Sequence, residues 1–101
     1  MGLAEKKALL VKAQGILEER AASHGNDTDA SRQRFAALGQ MWGAMVATAS
    51  GGPRVVISAE TAALMCAALK LHRACYGENE DNYLDAVAYM SLAFDYAKGA
   101  G

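Results

Sequence analysis

Residues 78–96 read ENEDNYLDAVAYMSLAFDY and decide the fold class, because an acidic cluster is followed by a segment that is almost entirely apolar. Apart from its tyrosines, the polar side chains of the apolar part are Asp85, Ser91 and Asp95. A helix that is apolar on all sides is a buried helix. The pattern therefore predicts a helix over 82–98, buried at the centre of a bundle or in an oligomer. Asp85 raises a question, because a buried carboxylate is costly unless another group pairs with it.

Three further helical segments precede this one and complete an all-helical chain. They span residues 3–22, 29–49 and 59–76. Apolar residues make up 52% of the 101, alanine is abundant and Pro53 is the single proline, so the composition favours helices. Short connections between helices favour antiparallel neighbours. The expected architecture is all-α, a four-helix antiparallel bundle formed by one domain over residues 1–101.

The 59–76 segment is also too apolar for a chain of this length to bury alone. Its broad apolar face holds Leu64, Ala67, Ala68, Leu71, Ala74 and Cys75. A second apolar face holds Met65, Leu69 and Tyr76, and the narrow stripe left to be polar is Cys66, Lys70 and Arg73. Since a small domain buries a limited share of its surface, we expect a homodimer.

Local signals mark an apolar side of the first helix and the start of the third. At about 100° per residue, the first helix presents one apolar side: Leu3, Leu10, Ala13, Leu17 and Ala21. Ser58 is the expected N-cap of the third helix. The RVVI stretch at 54–57 is β-branched but has no strand to pair with, so we expect an extended connector that packs on the core.

Charge, hydropathy and cysteine spacing exclude several classes of protein. The net charge is −1 and no block of five like charges occurs, so the basic stripe of a nucleic-acid binder is absent. No apolar run approaches the ~20 residues of a membrane span, and residues 1–15 lack the apolar core of a signal peptide. Cys66 and Cys75 are about 13 Å apart along one helix, too far for a disulfide. Free thiols favour a cytoplasmic location.

The acidic end of the quoted segment is the first candidate site. Asp81 and Asp85 are four residues apart, so on a helix their Cβ atoms lie ~6 Å apart on one face. Two carboxylates at that separation can share a divalent metal such as Mg²⁺. The alternative is that Asp81 or Asn79 caps the helix and that Asp85 interacts with the helix dipole. Asn82, between the two carboxylates, is a candidate substrate-binding residue.

Lys70 and Arg73 form a basic pair, three residues apart on the third helix. They could bind a phosphate, or neutralise Asp81 and Asp85 across an antiparallel helix pair in which Arg73 and Asp85 are natural neighbours. The alternative is a structural salt-bridge network or a solvated stripe. Glu60, near the start of the same helix, either serves the helix dipole or is a further acidic metal ligand.

Three stretches carry a family resemblance: ILEERAASHGN at 16–26, ALKLHRACYG at 68–77 and DNYLDAVAYMSLA at 81–93. Together they resemble a family of small phage and prophage proteins of uncharacterised function. The matching residues are Glu19, Arg20, His24, Gly25, Lys70, Arg73, Asp81, Asn82, Tyr83, Asp85 and Tyr89. The sequence departs from that family at Ala88, where glycine is common before the tyrosine.

Some members of the broader group are similar to MazG-type all-α nucleotide pyrophosphohydrolases, whose helix-borne carboxylates hold Mg²⁺ while nucleoside triphosphates are cut. This sequence departs from their pattern, because it has no ExxE pair and its Glu78–Asp81 match to ExxD lies in a predicted loop. Two functions follow as expectations. One is a Mg²⁺-dependent nucleotide pyrophosphohydrolase or nucleotide binder. The other is a non-catalytic helical module, such as a phage factor that binds a host protein, whose polar residues form a structural network.

Overall fold

The computed structural model describes residues 2–24, 28–77 and 80–99, with side chains described for 2–19, 29–77 and 80–98. Four helices account for most of these residues: α1 Leu3–His24, α2 Thr28–Ser50, α3 Ala59–Ala74 and α4 Glu80–Gly99. No strand occurs in the described ranges. The all-helical prediction is confirmed, and every predicted helix has a counterpart whose observed ends differ by no more than about two residues.

The start of α3 follows the capping chemistry that its sequence predicts. The Ser58 side chain accepts a hydrogen bond of 3.1 Å from the backbone N–H of Thr61. This bond satisfies one of the N–H groups that the first turn of a helix leaves without an intrahelical partner. The start of α4 differs from the prediction for Asp81, which lies with Glu80 inside the first turn rather than at the N-cap. Asn79, the other predicted cap, lies outside the described residues.

The core forms where the start of α3 meets the end of α4. Ala59 and Ala63 of α3 pack with Ala93 and Tyr96 of α4, and all four are buried. The partly buried side chains around this cluster are Phe35, Ala36 and Leu92. The small alanine side chains let the two helices approach closely. Because Lys70, late in α3, pairs with Asp85, early in α4, the two helices run antiparallel, as predicted.

Residues 53–58 form the extended connector between α2 and α3. It runs back along α2 over Gly39 and Gly43, which are both buried. A Cβ atom at Gly39 would collide with the carbonyl oxygen of Ile57, and one at Gly43 with that of Val55. The glycines therefore provide the close approach that lets the connector lie flat on α2. The prediction of an extended connector is confirmed.

The first helix packs differently from its predicted apolar side. Within the described part of the chain α1 contacts α4 and no other helix. Of the predicted apolar side of α1, Ala13 is buried, but Leu3, Leu10 and Leu17 are exposed. The physical reason is that α1 touches a single neighbour. One narrow line of contact cannot cover an apolar side as wide as this one.

The packing of the third helix divides its predicted broad apolar face between a covered part and an exposed part. Its inner face is made of alanines: Ala59, Ala62, Ala63, Ala67 and Ala74. Leu64 and Leu71, predicted to share a broad apolar face with Ala67 and Ala74, are 45% and 43% exposed. Lys70, from the predicted polar stripe, faces α4, in agreement with the predicted alternative that it neutralises Asp85. Close packing against α4 through small side chains overrides the rule that the largest apolar residues lie inside.

Candidate functional site

Asp85 owes its position in an apolar helix to Lys70. The Lys70 Nζ atom lies 3.1 Å from Asp85 Oδ2, and the two side chains are only 22% and 29% exposed. The antiparallel packing of α3 and α4 brings the last turns of one helix beside the first turns of the other. An opposite charge at this distance in a partly dehydrated setting interacts more strongly than a surface pair. Of the two partners predicted for Asp85, the structure places Lys70 against it, and Arg73 is exposed.

A second ion pair joins the same end of α4 to α1. Lys12 Nζ lies 2.9 Å and 3.1 Å from the two carboxylate oxygens of Glu80. Sequence reasoning missed this pair, because the two residues are 68 positions apart and no local pattern links them. The first turns of α4 therefore carry Glu80, Asp81 and Asp85, with a lysine from α1 and a lysine from α3 opposite them.

Asn82 lies between these charges and is the buried member of the group, with 9% of its surface exposed. Asp81, its neighbour, is exposed in the first turn. The two predicted carboxylate ligands thus differ in setting: Asp85 is half-buried against Lys70 and Asp81 faces outward. Arg73, three residues after Lys70, lies at the same end of the helix pair but is also exposed.

Glu60 lies at the opposite end of the α3–α4 pair. It is exposed in the first turn of α3, ten positions before Lys70, which corresponds to about 15 Å along the helix. Glu60 therefore does not share a site with Asp81 and Asp85. In the part of the chain that the structure describes, no group of three or more histidine, cysteine, aspartate or glutamate side chains is placed to hold a metal ion.

Cys66 lies on α3, four residues before Lys70. Burial raises the pKa of its thiol above the ordinary value of 9.0, and the charge of Lys70 acts in the opposite direction. The thiol is therefore mostly protonated at neutral pH, and protonated thiols are poor nucleophiles. Both cysteines are free, so the prediction that Cys66 and Cys75 form no disulfide with each other is confirmed.

Several predicted features fall outside the described residues. They include Gly25 of the family resemblance, Glu78 of the ExxD match, and the side chains of Arg20, Ala21 and His24. A groove is present elsewhere, between α2 and the connector, and its lining consists of Gln40, Arg54, Val55, Val56 and Ile57. The Lys70–Asp85 pair is not part of that lining.

One family match covers the charged residues described above and most of the helices that carry them. Residues 8–97 match the profile of the Domain of unknown function (DUF6378). The chain belongs to this family. The match includes all of α2, α3 and the connector, and both ion pairs of α4. Comparisons with curated proteins and with solved structures find no match. No helix within the described ranges combines the length and hydropathy needed to cross a bilayer.

Proposed function

We propose that this DUF6378 chain is a helical interaction module that works as a homodimer. The observation that carries the proposal is the amount of surface left open. The single chain exposes 7124 Å², whereas a compact protein of its mass exposes about 5,500 Å². Its radius of gyration is 15.6 Å, against about 13 Å for a compact domain of 100 residues.

Much of this open surface is apolar. Large hydrophobic side chains are exposed on all four helices; examples are Leu10, Met45, Leu69 and Phe94. Isolated exposed hydrophobic residues are ordinary on a monomer, but extensive apolar surface marks a contact with another protein. A second copy is the partner that is always present at the same concentration as the chain itself. A host protein, as expected for a phage-type factor, is a further class of partner.

The ion pairs have a structural role in this proposal. Lys70–Asp85 connects α3 to α4, and Lys12–Glu80 connects α1 to α4. The Lys70–Asp85 pair is partly buried, so it contributes to the choice of one helix register over others, because any shift leaves a charge without its partner. The Lys12–Glu80 pair is exposed and contributes less. Such a role requires no ligand. The free thiols of Cys66 and Cys75 support a cytoplasmic location.

The test is the molar mass in solution. Size-exclusion chromatography with light scattering should give twice the chain mass of 10.6 kDa, and dilution should shift the population towards the monomer. A chain that remains monomeric at the highest soluble concentration would refute the proposal.

A second candidate function is binding or hydrolysis of a nucleotide with Mg²⁺, as in the MazG-like enzymes. The observation that favours it is the contact between Lys70 and Asp85. Asp81 and Asn82 lie on the adjoining turn of α4. Mg²⁺ bound by Asp81 and Asp85 would orient a water molecule. Lys70, released from Asp85, and Arg73 would neutralise phosphate charge, and Asn82 would contact the substrate.

This candidate is tested with a panel of nucleoside and deoxynucleoside triphosphates plus Mg²⁺, followed by the release of pyrophosphate. Asp85→Asn should abolish turnover, whereas Asp95→Asn, an exposed aspartate on the same helix, should leave turnover unchanged. If no turnover occurs, thermal shift with Mg²⁺ and nucleotide tests binding, because a ligand of the native state stabilises it. No turnover together with no thermal shift would exclude the function for the nucleotides tried.

A further inference from the structure

We propose that the homodimer forms through the outer face of α3, which pairs in antiparallel orientation with α3 of a second copy, centred on Ala68. The inference rests on the self-association proposed above and adds the surface and the geometry. We define the outer face as Thr61, Leu64, Ala68, Leu71 and Cys75, all of which are exposed in the single chain.

The distribution of charge on α3 is the reverse of that on an ordinary surface helix. Between Glu60 and Arg73 the one charged side chain is Lys70, and it faces inward to Asp85. The outward side carries apolar residues, including Leu69 at 58% exposure beside the outer face. A surface helix normally has its charges towards water and its apolar residues towards the core. The arrangement is explained if the outward side of α3 is itself covered.

The spacing of the outer face matches a helix–helix seam. Its five residues follow one another at intervals of three, four, three and four positions, which is the repeat that keeps one line of contacts facing a partner helix. Large and small side chains alternate along it, with Leu64 and Leu71 between Thr61, Ala68 and Cys75. The order of sizes is the same in both directions, so the face is complementary to itself when a second copy is turned around.

The ends of α3 favour the antiparallel orientation. The first turn carries Glu60, and the last turn carries His72 and Arg73. Antiparallel pairing centred on Ala68 places the acidic start of one helix beside the basic end of the other, and it sets the two helix dipoles in opposition. A parallel pairing would bring like charges together at both ends. The antiparallel pairing also brings Leu64 to within about one residue's rise of Leu71 of the second copy.

The open surface is large enough for this interface. The accessible surface of the single chain is 7124 Å², whereas a compact chain of this mass exposes about 5,500 Å². The surplus is roughly 1,600 Å² per chain. A standard stable interface buries about 800 Å² from each partner. The surplus of the whole chain is therefore about twice the area that a standard interface removes from one partner.

A symmetric cross-link tests the geometry directly. In a chain carrying Cys66→Ala and Cys75→Ser, the substitution Ala68→Cys should give a reducible dimer under mild oxidation, because two such thiols would meet at the two-fold axis within disulfide range. Ala8→Cys, at an exposed alanine of α1, is the matched control and should remain largely uncross-linked. Equal cross-linking of the two variants, or none at position 68 in a dimeric chain, would overturn the proposed geometry.

A charge on the outer face tests the same surface without cysteines. Leu71→Glu should convert the dimer to a monomer by light scattering, and Met45→Glu, at a more exposed apolar residue of α2, should leave the dimer intact. Leu71 is exposed in the single chain, so a folded monomer is expected, and circular dichroism checks it. If Met45→Glu dissociates the dimer and Leu71→Glu does not, this inference fails while self-association stands. A monomeric wild-type chain refutes both.

Discussion

Asp85 shows how one residue in an apolar helix is tolerated when the tertiary structure supplies its partner. The carboxylate is only partly exposed, and Lys70 from α3 lies 3.1 Å away. Either charge without the other would remain in a partly dehydrated position. The pair is therefore expected to contribute to stability mainly through the penalty for leaving one member alone.

A double-mutant cycle measures this coupling. Lys70→Met and Asp85→Asn should each lower the free energy of unfolding by about 1–2 kcal/mol, between the ranges for exposed and fully buried pairs. The double variant should lose less than the sum of the two, because it leaves no unpaired charge. Urea denaturation gives the values, with Asp95→Asn as a control expected to change stability by less than about 0.5 kcal/mol. Additive losses would contradict the pairing.

Cys66 gives a prediction that depends on pH. Burial raises the pKa of its thiol, and Lys70 partly offsets that rise. In a Cys75→Ser background, alkylation of Cys66 by iodoacetamide at pH 8 should be slower in the folded chain than in urea, and Lys70→Met should slow it further. Because the unfolded thiol ionises first, the stabilising contribution is complete below the ordinary pKa of 9.0 and is lost as the pH rises above it. Equal rates in folded and unfolded chains would contradict the burial of the thiol.

At the scale of elements, the connector and α2 form a unit that sets where α3 begins. Gly39 and Gly43 let the extended residues 53–58 lie against α2. The connector ends at Ser58, which caps α3. The position of the glycines on α2 therefore determines where the third helix starts in space, and through it the position of Lys70.

Two glycine substitutions, one under the connector and one away from it, test whether the connector lies against α2. Gly43→Ala should lower the free energy of unfolding by about 1–3 kcal/mol, because its Cβ would collide with the carbonyl oxygen of Val55. Gly15→Ala in α1 meets no atom within 4 Å and should raise stability by about 0.5–1 kcal/mol through helix propensity. Thermal denaturation followed by circular dichroism compares the two variants. Equal stabilisation by both would mean that the connector does not lie on Gly43.

At the scale of the whole molecule, the chain is open: α1 lies on α4, α2 lies mainly on α3, and no contact between α1 and α2 occurs among the described residues. The extents of 49 × 33 × 23 Å describe an elongated body. A second copy that covers α3 would convert this shape into a compact assembly.

Self-association predicts that thermal stability depends on protein concentration. A dimer that unfolds to two separate chains gains stability by mass action. Each tenfold rise in concentration should therefore raise the melting temperature by about 3 °C for an assembly of this size. Differential scanning fluorimetry over two decades of concentration measures the shift, and Leu71→Glu serves as the monomeric control. A melting temperature that is independent of concentration in the wild type would contradict association in this range.

The local sequence was sufficient for the helices and for the Ser58 cap, because propensity, turn residues and capping act over a few neighbouring positions. It was also sufficient to identify Lys70 as one of two candidate partners of Asp85, because antiparallel packing of neighbouring helices limits the choice. It was not sufficient for the Lys12–Glu80 pair, since contacts between distant positions leave no local pattern. Nor did it say which side of α3 faces inward, because alanine packing against α4 decided that orientation.

The sequence by itself determined an all-helical chain with four helices, an extended connector and two cysteines that cannot bridge each other. Each of these follows from interactions between residues close together in the chain. Only the tertiary structure decided that Lys70 faces Asp85, that Glu60 lies at the other end of the helix pair, and that Leu64 and Leu71 face outward. The physical reason is that an apolar pattern specifies which residues avoid water, whereas the shape of the neighbouring helices decides which of them the chain itself can cover.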